Sequence, residues 1–288
     1  MASQQQLKSR IRSVKSTKQI TKAMQMVAAS KMRRAQDATK ATASYTETAR
    51  SILAHLAKLG STNGHAVFEA RPIKNRLVIL IASDRGLAGA YNANVLKNYL
   101  HGVIADDKNG VHTSTIAIGR KATQFVTRLK NDEVVGVYEN LPERLEGHEL
   151  HAVLDTAYTQ FAEGSVDAVD LVYTEFISSV VQEVKTERLL PAGLAKASED
   201  DVPTEALFEP DTETVLEAGV YRHLLAQLAQ ALLDARASEH SMRMMAMKNA
   251  TDNDSDLIDD LTLAMNKARQ GAITQELAEI SAGAEAMK

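Results

Sequence analysis

The sequence predicts an α/β domain with a Rossmann-like, mainly parallel sheet, inserted between two long helices that pair as an antiparallel coiled coil. Three observations support this fold class. Residues 3–59 contain neither glycine nor proline, strand-like and helix-like segments alternate over residues 65–190, and no proline follows Pro210. Such alternation is typical of a helix-covered parallel sheet. We therefore predict three segments: an N-terminal helix (1–60), an inserted α/β domain (61–209) and a C-terminal helix (210–288).

The first helix is expected to begin near Ser3, a possible N-cap, and to end near Leu59, which gives ~85 Å at ~1.5 Å per residue. An apolar stripe of Ile20, Met24 and Val27 needs a neighbour of its own, either another protein or a third helix of the same chain. The main seam has a coiled-coil period but mostly small and polar residues, so two helices could approach closely while burying little apolar area. Its two lines are Ile11, Lys18, Gln25, Met32, Thr39, Thr46 and Leu53, and Val14, Thr21, Ala28, Ala35, Thr42, Ala49 and Leu56.

The middle of the chain reads as alternating strands and helices after a predicted linker, GSTNG, at residues 60–64. Residues 76–83 form a continuous apolar run of strand length, which indicates a strand covered on both faces. Residues 180–189 alternate loosely and indicate an edge strand, and the acidic stretch 191–210 is expected to be a loop. Further strands are predicted at 115–118, 134–137 and 168–173, and helices at 95–104, 121–129 and 149–161.

The last helix is expected to run from about residue 212 to about residue 286, which is ~110 Å at ~1.5 Å per residue. No compact domain of this size can bury a helix of that length, so it must project, find a partner helix or enter another protein. Methionines cluster in both terminal helices. Methionine fills irregular gaps between packed elements, and we expect Met32, Met242 and Met245 to lie in the core of the helix pair.

Charge is distributed unevenly along the chain. Residues 1–60 carry twelve basic and two acidic side chains, a net charge of +10, which leaves −14 for the rest of a chain whose total is −4. This asymmetry suggests an acidic or polyanionic partner. The basic start resembles a transit peptide in composition, but the helical pattern continues to about Leu59 and argues against one. The sequence contains neither a secretory signal nor an apolar stretch long enough to span a membrane.

Cysteine is absent, which excludes disulfides, thiolate metal sites and cysteine catalysis. The segment SDRGLAGAYN at 83–92 lies between a strand and a helix, where phosphate-binding loops occur, but its glycines at 86 and 89 match neither dinucleotide nor P-loop spacing. A tight turn is the favoured interpretation.

Two other patterns are interpreted as structural. The DNDSD stretch places leucines at 257 and 263, where a calcium loop needs glycine and glutamate, and favours a solvated helix face. His151, His223 and His240 each stand alone and are expected at the surface or in grooves. We predict no catalytic, metal-binding or cofactor-binding residues, and no cofactor.

Three stretches resemble the gamma subunit of the rotary (F-type) ATP synthase. They are ITKAMQMVAASKMRRAQ at 20–36, SDRGLAGAYN at 83–92 and RMMAMKNATDNDSDLIDDLTLAMNKARQGAITQELAEISAGAEA at 243–286. The middle, about 105–210, resembles this family by layout only. Ala88, Ala90 and Met265 depart from the cysteine, glycine and tyrosine usual there. The cysteine-bearing insertion of chloroplast members is absent, so the resemblance implies a bacterial form without thiol regulation.

The resemblance implies a rotor subunit, one copy per complex, that turns inside a ring of three alpha and three beta subunits and couples proton-driven rotation to ATP synthesis or hydrolysis in that ring. Residues 273–286 would enter a hydrophobic bearing, and the α/β domain would hold the epsilon subunit and the ring of c subunits. It also implies a peripheral location at the cytoplasmic face of the bacterial inner membrane, with no nucleic-acid partner. Matching motif positions give Met24, Arg243, Gln270 and Thr274 as contacts with the catalytic head. Charge alone adds Lys22, Lys31, Arg33 and Arg34.

Two other functions remain open from the residues. A nucleotide-binding enzyme could use the turn at 83–92, because that turn has a strand–turn–helix setting. A coiled-coil scaffold for nucleic acid could use the basic first helix, and its affinity would fall steeply with salt.

Overall fold

The computed structural model describes residues 4–58, 66–129, 133–144, 148–193, 209 and 211–286. The predicted helices and strands are all present, with bounds that differ by a few residues. The predicted Ser3 cap, the linker at 60–64 and most of the stretch 191–210 lie outside the described residues. The helices are α1 (Gln4–Lys58), α2 (Tyr91–Lys108), α3 (Arg120–Val126), α4 (His148–Ala162) and α5 (Thr212–Ala286); the strands are β1 (Asn75–Ile81), β2 (His112–Ile118), β3 (Glu133–Tyr138), β4 (Ala168–Phe176) and β5 (Gln182–Leu190); a short 3-10 helix covers Ala66–Phe68.

The chain divides into two compact units. One, the coiled-coil unit, combines Met1–Ala29 with Arg243–Lys288, and the other, the α/β unit, comprises Ser30–Met242. Both long helices therefore contribute residues to both units. Each unit is described below by itself.

The α/β unit contains one five-stranded sheet in the order β3-β2-β1-β4-β5. Strands β1 to β4 are parallel, and β5 pairs antiparallel with β4 at one edge. The chain moves outward from β1 to β3 and then crosses to β4 on the other side of β1. The predicted mainly parallel sheet and the predicted edge strand are confirmed.

The central strand β1 is apolar from Leu77 to Ile81 because both of its faces are covered there. Leu77, Ile79 and Ile81 belong to a core shared with α4, α1 and α5, whereas Val78 and Leu80 belong to a second core shared with α2 and α3. Successive side chains of a strand point to opposite faces. The continuous apolar run in the sequence therefore reports a three-layer arrangement, with helices above and below the sheet.

The first turns of α5 are fixed by a cap and by close packing. The Thr214 amide donates to Asp211 Oδ1 at 2.8 Å, and the Thr214 hydroxyl donates to Asp211 Oδ2 at 2.8 Å, so the Asp211 carboxylate caps the helix start. A Cβ on Gly219 would lie 3.4 Å from Leu53 Cδ2 of α1. The glycine thus lets the two helices approach closely within the α/β unit.

The coiled-coil unit has a narrow seam. The predicted seam residues Ile11, Thr21 and Ala28 are buried on α1, and the hydroxyl of Thr21 lies 2.8 Å from that of Thr251 on α5. The predicted pairing of small and polar residues is confirmed. The second stripe is not covered, since Ile20 is 58% exposed and no described helix packs on it.

Two residue-level predictions are wrong. Met245 is 37% exposed, and Met247 occupies the seam instead, with Met32 buried as predicted. Four methionines within six residues of one helix offer more than one face, and only the pairing with α1 selects between them. His223 is buried, not at the surface, because its position on α5 faces the sheet with Leu224 and Val220.

Candidate functional site

The turn after β1 is built from contacts within the chain. Asp84 Oδ1 accepts the amide of Arg120, the first residue of α3, at 3.0 Å, and the amide of Asn140 at 3.1 Å. Asn92 Oδ1 accepts the Ser83 amide at 3.1 Å. The turn at 83–92 therefore carries a carboxylate, which binds the start of α3 and not that of α2, and its charge would repel a phosphate bound in this turn. This geometry disfavours the nucleotide-binding alternative.

Glycine is required at two positions near this turn. Gly89 has a φ of 56°, and Gly119 has a φ of 93°. A Cβ on Gly119 would lie 2.1 Å from the Ala82 carbonyl oxygen, so no other residue fits there. Gly86 and Ala90 have no such requirement, which explains why alanine is accepted at 90. The exposed Leu87 is held at a φ of 62°, an unusual conformation for a leucine.

The motif-derived contact residues all lie in the coiled-coil unit. Met24 and Arg243 are half-buried, and Gln270 and Thr274 are exposed. The Thr274 hydroxyl donates to the Gln270 carbonyl at 2.9 Å, which is one turn of α5 bonded to itself. These four residues are spread along two helices, with Met24 on α1 and the other three on α5.

The end of α5 exposes an apolar face. Ile273, Leu277 and Ile280 are 49%, 60% and 68% exposed and are spaced to lie on one side of a helix. Every described side chain from 271 to 284 is exposed. On α1, Met26 and Val27 are likewise 67% and 55% exposed. Met26 is one of the clustered methionines of the first helix, and its position falls outside both the seam and the second stripe.

The four residues chosen by charge differ in what they contact. Lys22 and Arg33 are exposed and form no ion pair among the described residues. Lys31 Nζ pairs with Glu143, and Arg34 Nη1 lies 3.9 Å from the same carboxylate. The hydrogen bond from Lys31 lowers the pKa of the Glu143 carboxyl. Glu143 therefore supplies a negative partner from within the chain.

The loop that carries Glu143 is anchored by Arg236 of α5. Arg236 Nη1 donates to the Glu143 carbonyl at 3.0 Å, and Nη2 donates to the Leu141 carbonyl at 3.1 Å. Burial lowers the pKa of this guanidinium. Arginine donates in a rigid fork, which suits two neighbouring carbonyls. No local sequence pattern predicts this contact, because 93 residues separate Arg236 from Glu143.

A buried carboxyl, that of Asp234, lies on α5. Burial raises the pKa of Asp234 to about 6; the Gln230 amide opposes the rise and the charge of Glu175 adds to it. Its neighbourhood also contains Thr39 of α1 and Lys185 of β5. Within the described ranges no group of three or more His, Cys, Asp and Glu side chains could hold a metal ion. Asp252, Asp254 and Asp256 lie within helix α5 and not in a loop.

No described helix is long and apolar enough to cross a membrane.

A family model described as ATP synthase matches residues 3–287. A protein named ATP synthase gamma chain from Stenotrophomonas maltophilia is 39% identical over 288 residues, and the alignment covers 100% of both chains. A protein of the same name from Acidithiobacillus ferrooxidans is 37% identical over 289 residues, again with 100% of both chains covered.

Solved structures show the same fold. A chain from the Euglena gracilis mitochondrial ATP synthase (OSCP/F1/c-ring, rotational state 3) has a TM-score of 0.68 at 20% identity, with 98% of this chain and 93% of that chain covered. A chain from the central stalk and c-ring of the Tetrahymena thermophila mitochondrial ATP synthase has a TM-score of 0.63 at 24% identity, with 80% and 99% covered.

Proposed function

The chain belongs to the ATP synthase gamma-chain family, and we propose that it is the rotor subunit of the central stalk, which couples rotation of a proton-driven membrane ring to ATP synthesis or hydrolysis in the catalytic head. The observation that carries this proposal is the exposed apolar face of Ile273, Leu277 and Ile280 at the end of α5. Exposed apolar side chains at this spacing are typical of a helix that enters a groove or sleeve of another protein.

We propose that the chain is a non-catalytic subunit. Its turn after β1 is closed by Asp84, and the described residues form no metal-binding cluster. Its mechanical role follows from asymmetry. The single pair of terminal helices lies in a ring of three alternating alpha and beta subunits, contacts each alpha–beta pair differently and so favours a different conformation in each. Rotation then shifts these conformational populations in turn.

The proposed partners follow the division into 1–60, 61–209 and 210–288. The two terminal helices would contact the alpha and beta subunits through Met24, Arg243, Gln270 and Thr274. The α/β segment would hold the epsilon subunit and the c-subunit ring. We place the chain, in one copy, at the cytoplasmic face of the bacterial inner membrane. A nucleic-acid partner is not part of this proposal, and a duplex-binding assay at low salt tests that alternative.

We propose a graded role for the basic residues. Lys22 and Arg33 are free to meet acidic segments of the head, whereas Lys31 and Arg34 first have to exchange Glu143 for a partner carboxylate. Charge complementarity of this kind mainly raises the association rate and makes it dependent on salt. Lys22→Gln with Arg33→Gln should therefore slow association with the head at low salt, while the exposed Lys97→Gln on α2 serves as a matched control.

The main experiment is co-purification of the full chain with three alpha and three beta subunits. Leu277→Ser with Ile280→Ser should weaken assembly or torque without unfolding the chain, because both side chains are exposed. The neighbouring pair Glu276→Ser with Glu279→Ser controls for helix propensity on the same turns. Normal assembly and torque of the leucine–isoleucine variant would contradict the proposed bearing contact, and failure of the unaltered chain to co-purify would contradict the rotor function itself.

A further inference from the structure

A groove of about 610 Å³ lies between α4 and the first turns of α5, within the α/β unit. None of the contacts proposed above uses it. Its walls combine two tyrosines, one carboxylate and one guanidinium. The lining residues are Tyr158, Thr214, Glu217, Ala218, Tyr221 and Arg222.

One wall of the groove is fixed by a hydrogen-bond chain. The Tyr221 hydroxyl donates to Asp155 Oδ1 at 2.6 Å, so its oxygen is left to accept from His151 Nδ1, which lies at 2.9 Å. The His151 ring packs against Tyr221 with centroids 5.6 Å apart. Tyr158 meets Tyr221 edge-on, with centroids 6.3 Å apart and an interplanar angle of 69°. The two aromatic rings are therefore held in place before any partner arrives, which reduces the entropy lost on binding.

The groove carries two charged side chains, one negative and one positive, on its α5 wall. Glu217 and Arg222 are exposed and form no ion pair among the described residues. Glu217 is close enough to Tyr158 that its negative charge, after burial, contributes to raising the pKa of that phenol. A tyrosine ring attracts a cation over its face and offers nothing comparable to an anion. Two rings, Glu217 and the nearby Asp155 thus favour a positive occupant, and only Arg222 opposes one.

We propose that this groove is a docking site for a lysine or arginine side chain of a neighbouring polypeptide, held between the Glu217 carboxylate and the ring of Tyr158. That the neighbour is another subunit of the synthase rests on the proposed function. Tyr221 acts as a positioning residue, since Asp155 and His151 already satisfy its hydroxyl. The occupant is defined by chemistry: a cation on a stem long enough to lie along an aromatic ring.

Because the chain contains no cysteine, a single introduced thiol is the only site in it that a maleimide labels. Ala218→Cys introduces the only thiol, in the wall of the groove and on the exposed side of α5. The rate of its modification by a maleimide is measured in the isolated full chain and in the purified synthase complex. We expect the complex to slow modification. A photoreactive maleimide at the same thiol should then cross-link to a peptide of another subunit that contains lysine or arginine.

Charge and ring variants in the Ala218→Cys background identify the occupant. Glu217→Gln and Tyr158→Leu should each reduce the protection of the thiol by about two- to tenfold. Arg222→Gln, a neutralisation in the same groove, should leave protection unchanged or increase it. The opposite pattern, with protection lost only in Arg222→Gln, would mean an acidic occupant and would overturn the proposal.

The remaining outcomes separate this proposal from the rotor function. Equal modification rates in chain and complex, or a cross-link to residues 194–210 of the same chain, would reject the docking site while leaving assembly with the head intact. A cross-link to a segment without a basic side chain would also reject it. Loss of co-purification in the unaltered chain would instead reject the rotor function. Circular dichroism of each variant checks that it is folded, because the partly buried Tyr158 packs against the core of the α/β unit.

Discussion

The α/β unit and the coiled-coil unit use apolar residues in opposite ways. The largest side chains that are fully buried among the described residues, from Leu53 to Phe161, all lie in the α/β unit. The coiled-coil unit buries a narrow seam in which small and polar residues accompany a few larger apolar ones such as Ile11, and it leaves Ile273, Leu277 and Ile280 exposed. Buried apolar area is the main source of folding free energy. The α/β unit therefore has an extensive apolar core of its own, whereas the coiled-coil unit exposes apolar side chains that we propose a partner covers.

The largest expected effect lies in the core of the α/β unit. Phe161→Ala removes a side chain that is 0% exposed and leaves a cavity beneath α4, which should lower the free energy of unfolding by about 3–5 kcal/mol. Leu277→Ala in the coiled-coil unit is the matched control, and its effect in the isolated chain should stay below about 0.5 kcal/mol. Urea denaturation followed by circular dichroism measures both. Similar losses of unfolding free energy for the two variants would contradict the proposed difference between the two units.

A pH-dependent effect is expected at Asp234. Burial raises the pKa of this carboxyl in the folded chain to about 6 from its ordinary value of 3.8. Because the folded state binds the proton more tightly than the unfolded state, Asp234 lowers stability increasingly as the pH rises from about 4 to about 7. Asp234→Asn should therefore stabilise the chain by about 1–3 kcal/mol at about pH 7 and by little at about pH 4.

The check for Asp234→Asn is urea denaturation of the variant and the unaltered chain over that pH range. The difference between them should increase with pH. A difference that does not change with pH would show that the Asp234 carboxyl titrates normally in the folded chain. Burial of this carboxyl would then cost the α/β unit less stability than expected.

A smaller effect is expected in the seam of the coiled-coil unit. The hydroxyls of Thr21 and Thr251 lie 2.8 Å apart in a buried setting, and Thr251 also lies 2.8 Å from the Met247 carbonyl. Thr21→Ala and Thr251→Ala should show a coupling of about 0.5–1.5 kcal/mol in a double-mutant cycle. Thr17→Ala, which removes an exposed hydroxyl bonded only to its own helix, should be close to neutral. A coupling near zero would mean that the seam is held by shape alone.

The smallest effect is expected for the ion pair of Lys31 and Glu143. Glu143 is 60% exposed, so Glu143→Gln should cost less than about 1 kcal/mol, and the cost should fall as salt is added. The pKa of Glu143 is lowered in the folded chain, so the contribution is present at neutral pH and is lost as the pH falls through that lowered value. Glu183→Gln on β5 is the control. A larger loss of stability that does not depend on salt would show that the loop carrying Glu143 contributes to the core in the way that Phe161 does.

The elements of this chain were predictable because the signals for them are local. The lack of glycine and proline in residues 3–59 predicted α1, and the apolar run at 76–83 predicted the doubly covered strand β1. The residue types of the seam predicted a close and weakly apolar helix pair. The resemblance of three stretches to the gamma-subunit family added the function. The contact residues Met24, Arg243, Gln270 and Thr274 stay a prediction, because their partners are other chains.

The sequence by itself determined the order and type of the elements, since these depend on neighbours within one or two turns. It also determined the absence of cysteine chemistry and the basic character of the first helix, since these depend on composition alone. Only the tertiary structure decided that Met247 and not Met245 enters the seam, that His223 is buried, that Asp84 closes the turn after β1 and that Glu143 holds Lys31. These contacts join residues of different elements, and in the case of Lys31 and Glu143 they are 112 positions apart. A periodic pattern tells which face of a helix is apolar, but packing decides which residue of another element that face meets.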